Sequence, residues 1–325
     1  MSMRIHKNNI KMKVFSLLLL GIFVLTVFPF TVMGATTYQT TLTKGTDIYI
    51  VDHYDEEAWK STVNSISTPN EWFKGNASIV DAKSKITLKG YVFTTWNTYD
   101  VLTSIFMPEY FTTQQIYTLI GIMNLQGYNE TTINSNYNES FKLWYGIRSV
   151  WNFTNSDYEE LPSYTDGVIV LQNPLDYKKM LDDYTNLSVE LNGDPFIQFS
   201  GYSFPNITPD QFLWQLALNG LAIADPQAEY LTELINEMGP ENASATETTL
   251  IFERYGVTDY TVEIEYGPKG MMSSFLVKDS GDTIIFRLIS TNSEWIFFTI
   301  LIIASVSVGA FIAYMIVRRR KLKKR

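Results

Sequence analysis

The sequence predicts an α+β fold, mostly antiparallel β with about four helices, ending in a β-meander and followed by one C-terminal transmembrane helix. Three observations predict it. Period-two runs rich in β-branched and aromatic residues recur along the chain. T-x-x-Q helix starts interrupt them at Thr112 and Thr208. A run without a formal charge fills 295–317.

At the amino end, Arg4, Lys7, Lys11 and Lys13 precede the apolar run 14–33, and Val32, Gly34 and Ala35 supply small residues for signal-peptidase cleavage. The reading is a signal peptide over 1–34, cut after Gly34. A retained anchor is the rival, because the run is long enough to span. Either way the segment 35–290 is expected to be exported.

Within that segment, Ile48 and Ile50 alternate with Asp47 and Tyr49 and read as a strand after the turn at Lys44-Gly45. The runs 83–93 and 94–106 read as two more strands. A helix follows Thr112, with Ile116, Leu119, Ile120 and Met123 as its apolar stripe. The Asn-rich stretch 124–140 reads as a loop, and 124–165 is where two intimately packed halves would meet. The strand 141–153 alternates, with Phe141, Leu143 and Phe153 on one face and Trp144, Arg148 and Asn152 on the other, polar face. Trp144 and Arg148 there offer flat groups for a sugar or planar ligand, or simply pack half-buried.

Next, 167–171 is a buried strand, and Asn173-Pro174 opens a helix whose Tyr177, Met180, Leu181, Tyr184 and Leu187 face inward. The stretch 188–200 resumes β patterning around Asn192-Gly193-Asp194-Pro195. Thr208-Pro209-Asp210-Gln211 starts a helix that is apolar on nearly every side, so it is buried or lines a cavity. Asp225-Pro226 opens the last helix, whose Glu229, Glu233 and Glu237 recur every fourth residue and read as collecting a divalent cation or, more simply, as a solvated face. The resemblance between the helix starts at Thr112 and Thr208 reads either as a faint duplication or as shared helix-start grammar. The meander occupies 246–290, turning at Gly267-Pro268-Lys269-Gly270 and Asp279-Ser280-Gly281-Asp282.

After a short juxtamembrane segment, 295–317 spans roughly 34 Å at 1.5 Å per residue, which suffices for a bilayer core. Seven basic residues in 318–325 place the tail in the cytoplasm and everything before the span outside. Ser305, Gly309 and Ala313, four apart, offer a close packing face through which the chain would form homo-oligomers.

The whole-chain formal charge of −9 conceals a strongly acidic exported part, where 14 basic residues face 34 acidic ones for a formal charge of −20. Such a surface repels phosphate backbones and excludes nucleic acid as a partner. The chain has no cysteine, so disulfides, thiolate catalysis and Cys-ligated metals are excluded. Seven Asn-X-Ser/Thr sequons begin at Asn76, Asn129, Asn138, Asn152, Asn186, Asn206 and Asn242 and are glycosylation candidates. His53 lies beside Asp52, Asp55, Glu56 and Glu57, a set that reads as a metal or general-base site or as a solvated strand end. No phosphate-binding, zinc-protease or EF-hand motif appears, and neither a catalytic residue nor a cofactor is assigned.

The expectation is therefore a type I single-pass glycoprotein of a cell surface, archaeal in its architecture. Its membrane-proximal domain would bind an envelope protein, a glycan or another extracellular ligand without catalysis. An apolar-ligand or lipid-handling domain is the first alternative, and a carboxylate-based extracellular hydrolase the second.

Overall fold

The computed structural model describes residues 37–291, and from Tyr38 onward the described chain forms one compact unit. The expected signal peptide 1–34, the run 295–317 with Ser305, Gly309 and Ala313, and the tail 318–325 lie outside the described residues. Among those described, no helix is long and apolar enough to cross a membrane.

The architecture is α+β, dominated by a curled nine-stranded antiparallel sheet. Strand β1 (Gln39–Thr40) forms only a short separate pair with β6 (Ala224–Asp225). The amino-terminal part of the sheet is built from β2 (Gly45–Tyr54), β3 (Lys83–Trp96), β4 (Phe141–Thr154) and β5 (Tyr164–Leu171). The carboxyl-terminal part comprises β7 (Ala243–Thr246), β8 (Thr249–Tyr255), β9 (Asp259–Tyr266), β10 (Met272–Asp279) and β11 (Ile284–Ser290). The order is β5-β4-β3-β2-β11-β10-β9-β8-β7, so the first long strand and the last one join the two parts at the centre. The expected meander is present as β8 to β11, and Val262, Ile264 and Tyr266 bury the face the alternation assigned to the core.

Helices cover the inner face of this sheet. After α1 (Glu56–Thr62) come α2 (Thr98–Val101), a π turn at Leu102–Phe106, α3 (Met107–Tyr110), α4 (Thr113–Leu125) and α5 (Glu130–Tyr137). Following β5 are α6 (Asp176–Gly193), α7 (Pro195–Phe199), α8 (Pro209–Leu218) and α9 (Gln227–Met238). The described residues thus hold more helices than the four expected. Both T-x-x-Q starts form complete capping boxes, Thr112 with Gln115 and Thr208 with Gln211. Each box satisfies helix-terminal amides that have no intrahelical partner. The expected inward stripe of α6 is buried.

The core joins helices to sheet through aromatic rings, as burial without disulfides requires. Trp214 of α8 packs edge-on to Phe252 of β8 at 5.2 Å between centroids and to Trp72 at 5.3 Å. Trp72 in turn meets Trp59 of α1 at 4.9 Å. Phe106 stacks on Tyr184 of α6 at 4.0 Å and on Phe212 of α8 at 5.1 Å.

Four expectations are corrected. The strand expected over 94–106 ends at Trp96, because Asn97 and Asp100 form a capping box that starts α2. The loop expected over 124–140 contains α5, capped by Asn129 through Thr132 N–H and stopped by Asn138 in the left-handed conformation at φ 49°. The β patterning expected over 188–200 is helical: α6 runs on to Gly193, then Asp194 accepts from Phe196 N–H and Ile197 N–H with Pro195 in the first turn of α7. Finally, the face of β4 expected to be polar is core, since Trp144, Gly146, Arg148 and Val150 are buried. The sign was misread because a buried arginine with its partner on the neighbouring strand looks, in one strand alone, like a solvent position.

Candidate functional site

The sequence-nominated residues do not assemble into a single centre. His53 lies on β2 opposite Arg287, and three of the four carboxylates around it are separately engaged. Asp52 pairs with Arg287, Asp55 caps α1 by accepting from Ala58 N–H at 2.9 Å, and Glu56 pairs with Lys60 one turn on. Among the described residues no group of three His, Cys, Asp or Glu side chains is placed to hold a metal ion. Glu229, Glu233 and Glu237 stay along one face of α9 and gather no further ligand.

Of the seven sequon asparagines, Asn76, Asn138, Asn152, Asn186, Asn206 and Asn242 are exposed, and Asn129 is half-buried as the cap of α5. Asn76 and Asn152 lie near one end of the sheet, where Asn76 N–H donates to Phe153 C=O. Asn206 and Asn242 meet at the rim of a groove that the sequence did not reveal.

That groove has a volume of about 440 Å³ and lies between α3, α8 and the end of β8. Its floor is set by strand alternation. Leu250 and Phe252 point into the core, and Arg254, next on the same face, is half-buried beside Trp214 of α8. Its guanidinium therefore lies over the Trp214 ring, 4.0 Å from the centroid, and its Nε donates to Tyr260 Oη at 3.2 Å. It makes no ion pair among the described residues and lines the groove. Tyr110 and exposed Tyr255 add flat faces.

Three carboxylates line the same groove, in different states. Asp210 is committed to structure: its two oxygens accept from Glu241 N–H at 3.0 Å and Asn242 N–H at 2.7 Å, fixing the loop that carries the Asn242 sequon. Glu109 accepts from Asn219 Nδ2 at 2.8 Å, and burial holds its carboxyl above the ordinary value, partly offset by that hydrogen bond. Glu253 is exposed. The chemistry offered is a stacked cation, aromatic planes and carboxylate acceptors, suited to hydroxyl-rich ligands.

Two other hollows are different in kind. A narrow cavity of about 80 Å³ lies under the sheet beside Tyr49, Arg148, Tyr164 and Asp166. Arg148 and Asp166 close one wall as a bidentate pair, with Nε to Oδ1 at 2.8 Å and Nη2 to Oδ2 at 2.6 Å. Gly220 is required there: at φ +107° it passes so close that a Cβ would stand 2.3 Å from Gly167 C=O and 2.9 Å from Arg148 Nη2. A shallow depression of about 830 Å³ lies on the outer face of β9, β10 and β11. No protein-family model, no curated protein and no solved structure matches this chain, so the geometry alone carries the functional argument.

Proposed function

We propose that this chain is a type I single-pass surface glycoprotein, with its exported domain outside the cell membrane and its carboxyl terminus in the cytoplasm. The domain acts as a membrane-proximal, non-catalytic binding module for an envelope component. The observation that carries the binding reading is the groove at Trp214 and Arg254, an unpaired stacked cation flanked by tyrosines and by two sequons. Exposed hydroxyl-rich ligands fit it best, so the favoured envelope component is a glycan or a glycosylated partner.

The apolar-ligand alternative has less support. The interior cavity of about 80 Å³ is well below the roughly 300 Å³ a small-molecule pocket needs. Helix α8 packs against the aromatic core, and the enclosed hollow it lines, through Ala217 and Leu218, is that same small cavity. The hydrolase alternative needs two free carboxylates across a cleft, and in the groove Asp210 is occupied by backbone amides and Glu109 accepts from Asn219, which leaves Glu253 as the one lining carboxylate without a hydrogen-bond partner among the described residues.

The test is saturation-transfer NMR of the detergent-solubilised full chain against neutral and acidic oligosaccharides, compared with Arg254→Gln. Ligand signals that vanish in the variant, with the circular dichroism unchanged, support the reading. Equal signals in both proteins, or none in either, sink the groove as the binding site. Sensitivity of the chain on intact cells to glycosidase tests the topology separately.

A further inference from the structure

The ladder between β2 and β3 ends at Gly45 opposite Leu88, yet β3 continues to Trp96, paired only with β4 on its other side. Among the described residues, the stretch 89–96 is therefore a free edge within an otherwise continuous sheet. It carries Tyr91, Val92 and Phe93, which are 37%, 59% and 52% exposed, with Ile147 of β4 beside it at 46%. Tyr91 and Phe93 emerge on one face, where Phe93 packs against Trp144 at 5.3 Å, and Val92 on the other, and all three side chains stay substantially exposed at the edge.

The charges beside it depart from those of the rest of the domain. In a segment of formal charge −20, Lys44, Lys89 and Lys142 are exposed and make no ion pair among the described residues. Lys44 lays its side chain over Gly90, Lys89 is the extra residue of a bulge in β3, and Lys142 neighbours Thr95 across the ladder. Long exposed apolar edges are usually blunted by charge or by cover. Among the described residues the blunting charges here are cations, placed around aromatic and aliphatic side chains, the pattern of an interfacial membrane contact.

The direction of the chain supplies the occupant. Strands β3 and β11 both run antiparallel to β2 and so point the same way. The last described residue, Thr291, is tied to Ile48 by its N–H at 2.7 Å, and the uncharged run begins four residues later at Trp295. Four residues reach about 14 Å at full extension. The β3–β4 ribbon projects roughly 35 Å beyond Thr291 along the strands, or roughly 25 Å after two steps of sheet twist. A bilayer entered at Trp295 therefore meets the ribbon, and it meets it on the free edge, which faces the β11 side.

We infer that the free edge at 91–93, with Lys44, Lys89 and Lys142, rests in the anionic headgroup layer of the bilayer that 295–317 enters. This rests on the reading of that run as the membrane anchor. Unpaired backbone groups on the edge hold the contact at headgroup depth, because they cannot be satisfied in hydrocarbon. The domain then lies tilted against the membrane, pinned at two points.

The chain has no cysteine, so one introduced thiol gives a unique label. The full chain carrying Val92→Cys and a bimane label is reconstituted into phosphatidylcholine–phosphatidylglycerol vesicles containing headgroup-nitroxide lipid, with Lys83→Cys at the opposite end of β3 as control. Bimane emission at 92 at least halved, with emission at 83 unchanged, supports the contact. The same label in a K44E/K89E/K142E background should recover most of its emission. Equal emission at both positions in a chain that resists alkaline extraction overturns the contact while leaving the anchor standing. Extraction of the chain at alkaline pH overturns the anchor reading and the contact with it. Self-quenching at 92 that grows with protein density and ignores the nitroxide assigns the edge to a second copy and also overturns the inference.

Discussion

Removing one half of the pair between Arg148 and Asp166 tests the finding that the predicted polar face of β4 is core. The Arg148 side chain is 9% exposed and that of Asp166 28%, so the two ends of the bidentate contact are unequally solvated. Asp166→Ala leaves a nearly buried guanidinium without its acceptor. Breaking a buried pair in this way costs about 3–5 kcal/mol, and the share of solvent at Asp166 brings the expectation to about 3 kcal/mol. Arg148→Met leaves a carboxylate that water already reaches and keeps most of the apolar contact, so about 1–2 kcal/mol is expected. The double variant should cost less than the sum, with a coupling of about 1.5 kcal/mol or more. Urea unfolding of the four proteins, followed by tryptophan emission, measures the cycle. A loss below about 1 kcal/mol for Asp166→Ala, or additivity of the two changes, would show that the pair is hydrated and that the core assignment of this face is wrong.

Three further outcomes follow from local geometry. Asp183 accepts from Thr98 Oγ1 at 2.8 Å, and burial, with Glu139 and Asp182 adding to it, pushes its carboxyl up to about 6. Because its unfolded value is near 4, its contribution is fully present below about pH 4 and lost as pH rises through about 6; for a half-exposed group this is about 1 kcal/mol, and Asp183→Asn should flatten that part of the stability–pH curve. Gly75 sits at φ +94° with Phe153 C=O 2.4 Å from where a Cβ would be, so Gly75→Ala should cost about 2 kcal/mol or more in the same urea assay. Thr208→Ala removes the side chain that accepts from Gln211 N–H at the start of α8 and should cost about 1 kcal/mol, with an unchanged denaturant slope if only the cap is lost.

Local chemistry was the legible part of this fold. Capping boxes at Thr112 and Thr208, the inward stripe of α6 and the β8–β11 meander all stand on contacts within a few residues or on one strand's own period. Helix starts written with Asn were missed twice, at Asn97 and Asn129, because asparagine in an Asn-rich stretch reads equally well as loop. The groove at Trp214 was not legible at all. It joins α3, α8 and β8, roughly 145 residues apart at the extremes, and nothing in β8 alone marks Arg254 as the residue that meets Trp214 of α8. Arg148 failed for the related reason that its partner belongs to a different strand. Residues were misread wherever their environment is set across the sheet.

The pairing of β2 with β11 has the widest reach in this respect. Each of these central strands has its other neighbour close in sequence, β3 for one and β10 for the other, so each half of the sheet can begin as local antiparallel pairs. Joining them requires Ile50 and Ile289, Val51 and Leu288, and Tyr54 and Phe286 to meet across more than 230 residues. Such long-range closure is slow relative to local pairing, and until it occurs both halves present a long unpaired edge. Synthesis delivers β2 first and β11 last, immediately ahead of the uncharged run that begins at Trp295. The final ladder therefore forms only when residues 284–290 are available to pair. On the proposed reading of 295–317 as the anchor, the domain would complete its centre next to the membrane, beside the proposed contact of the β3 edge.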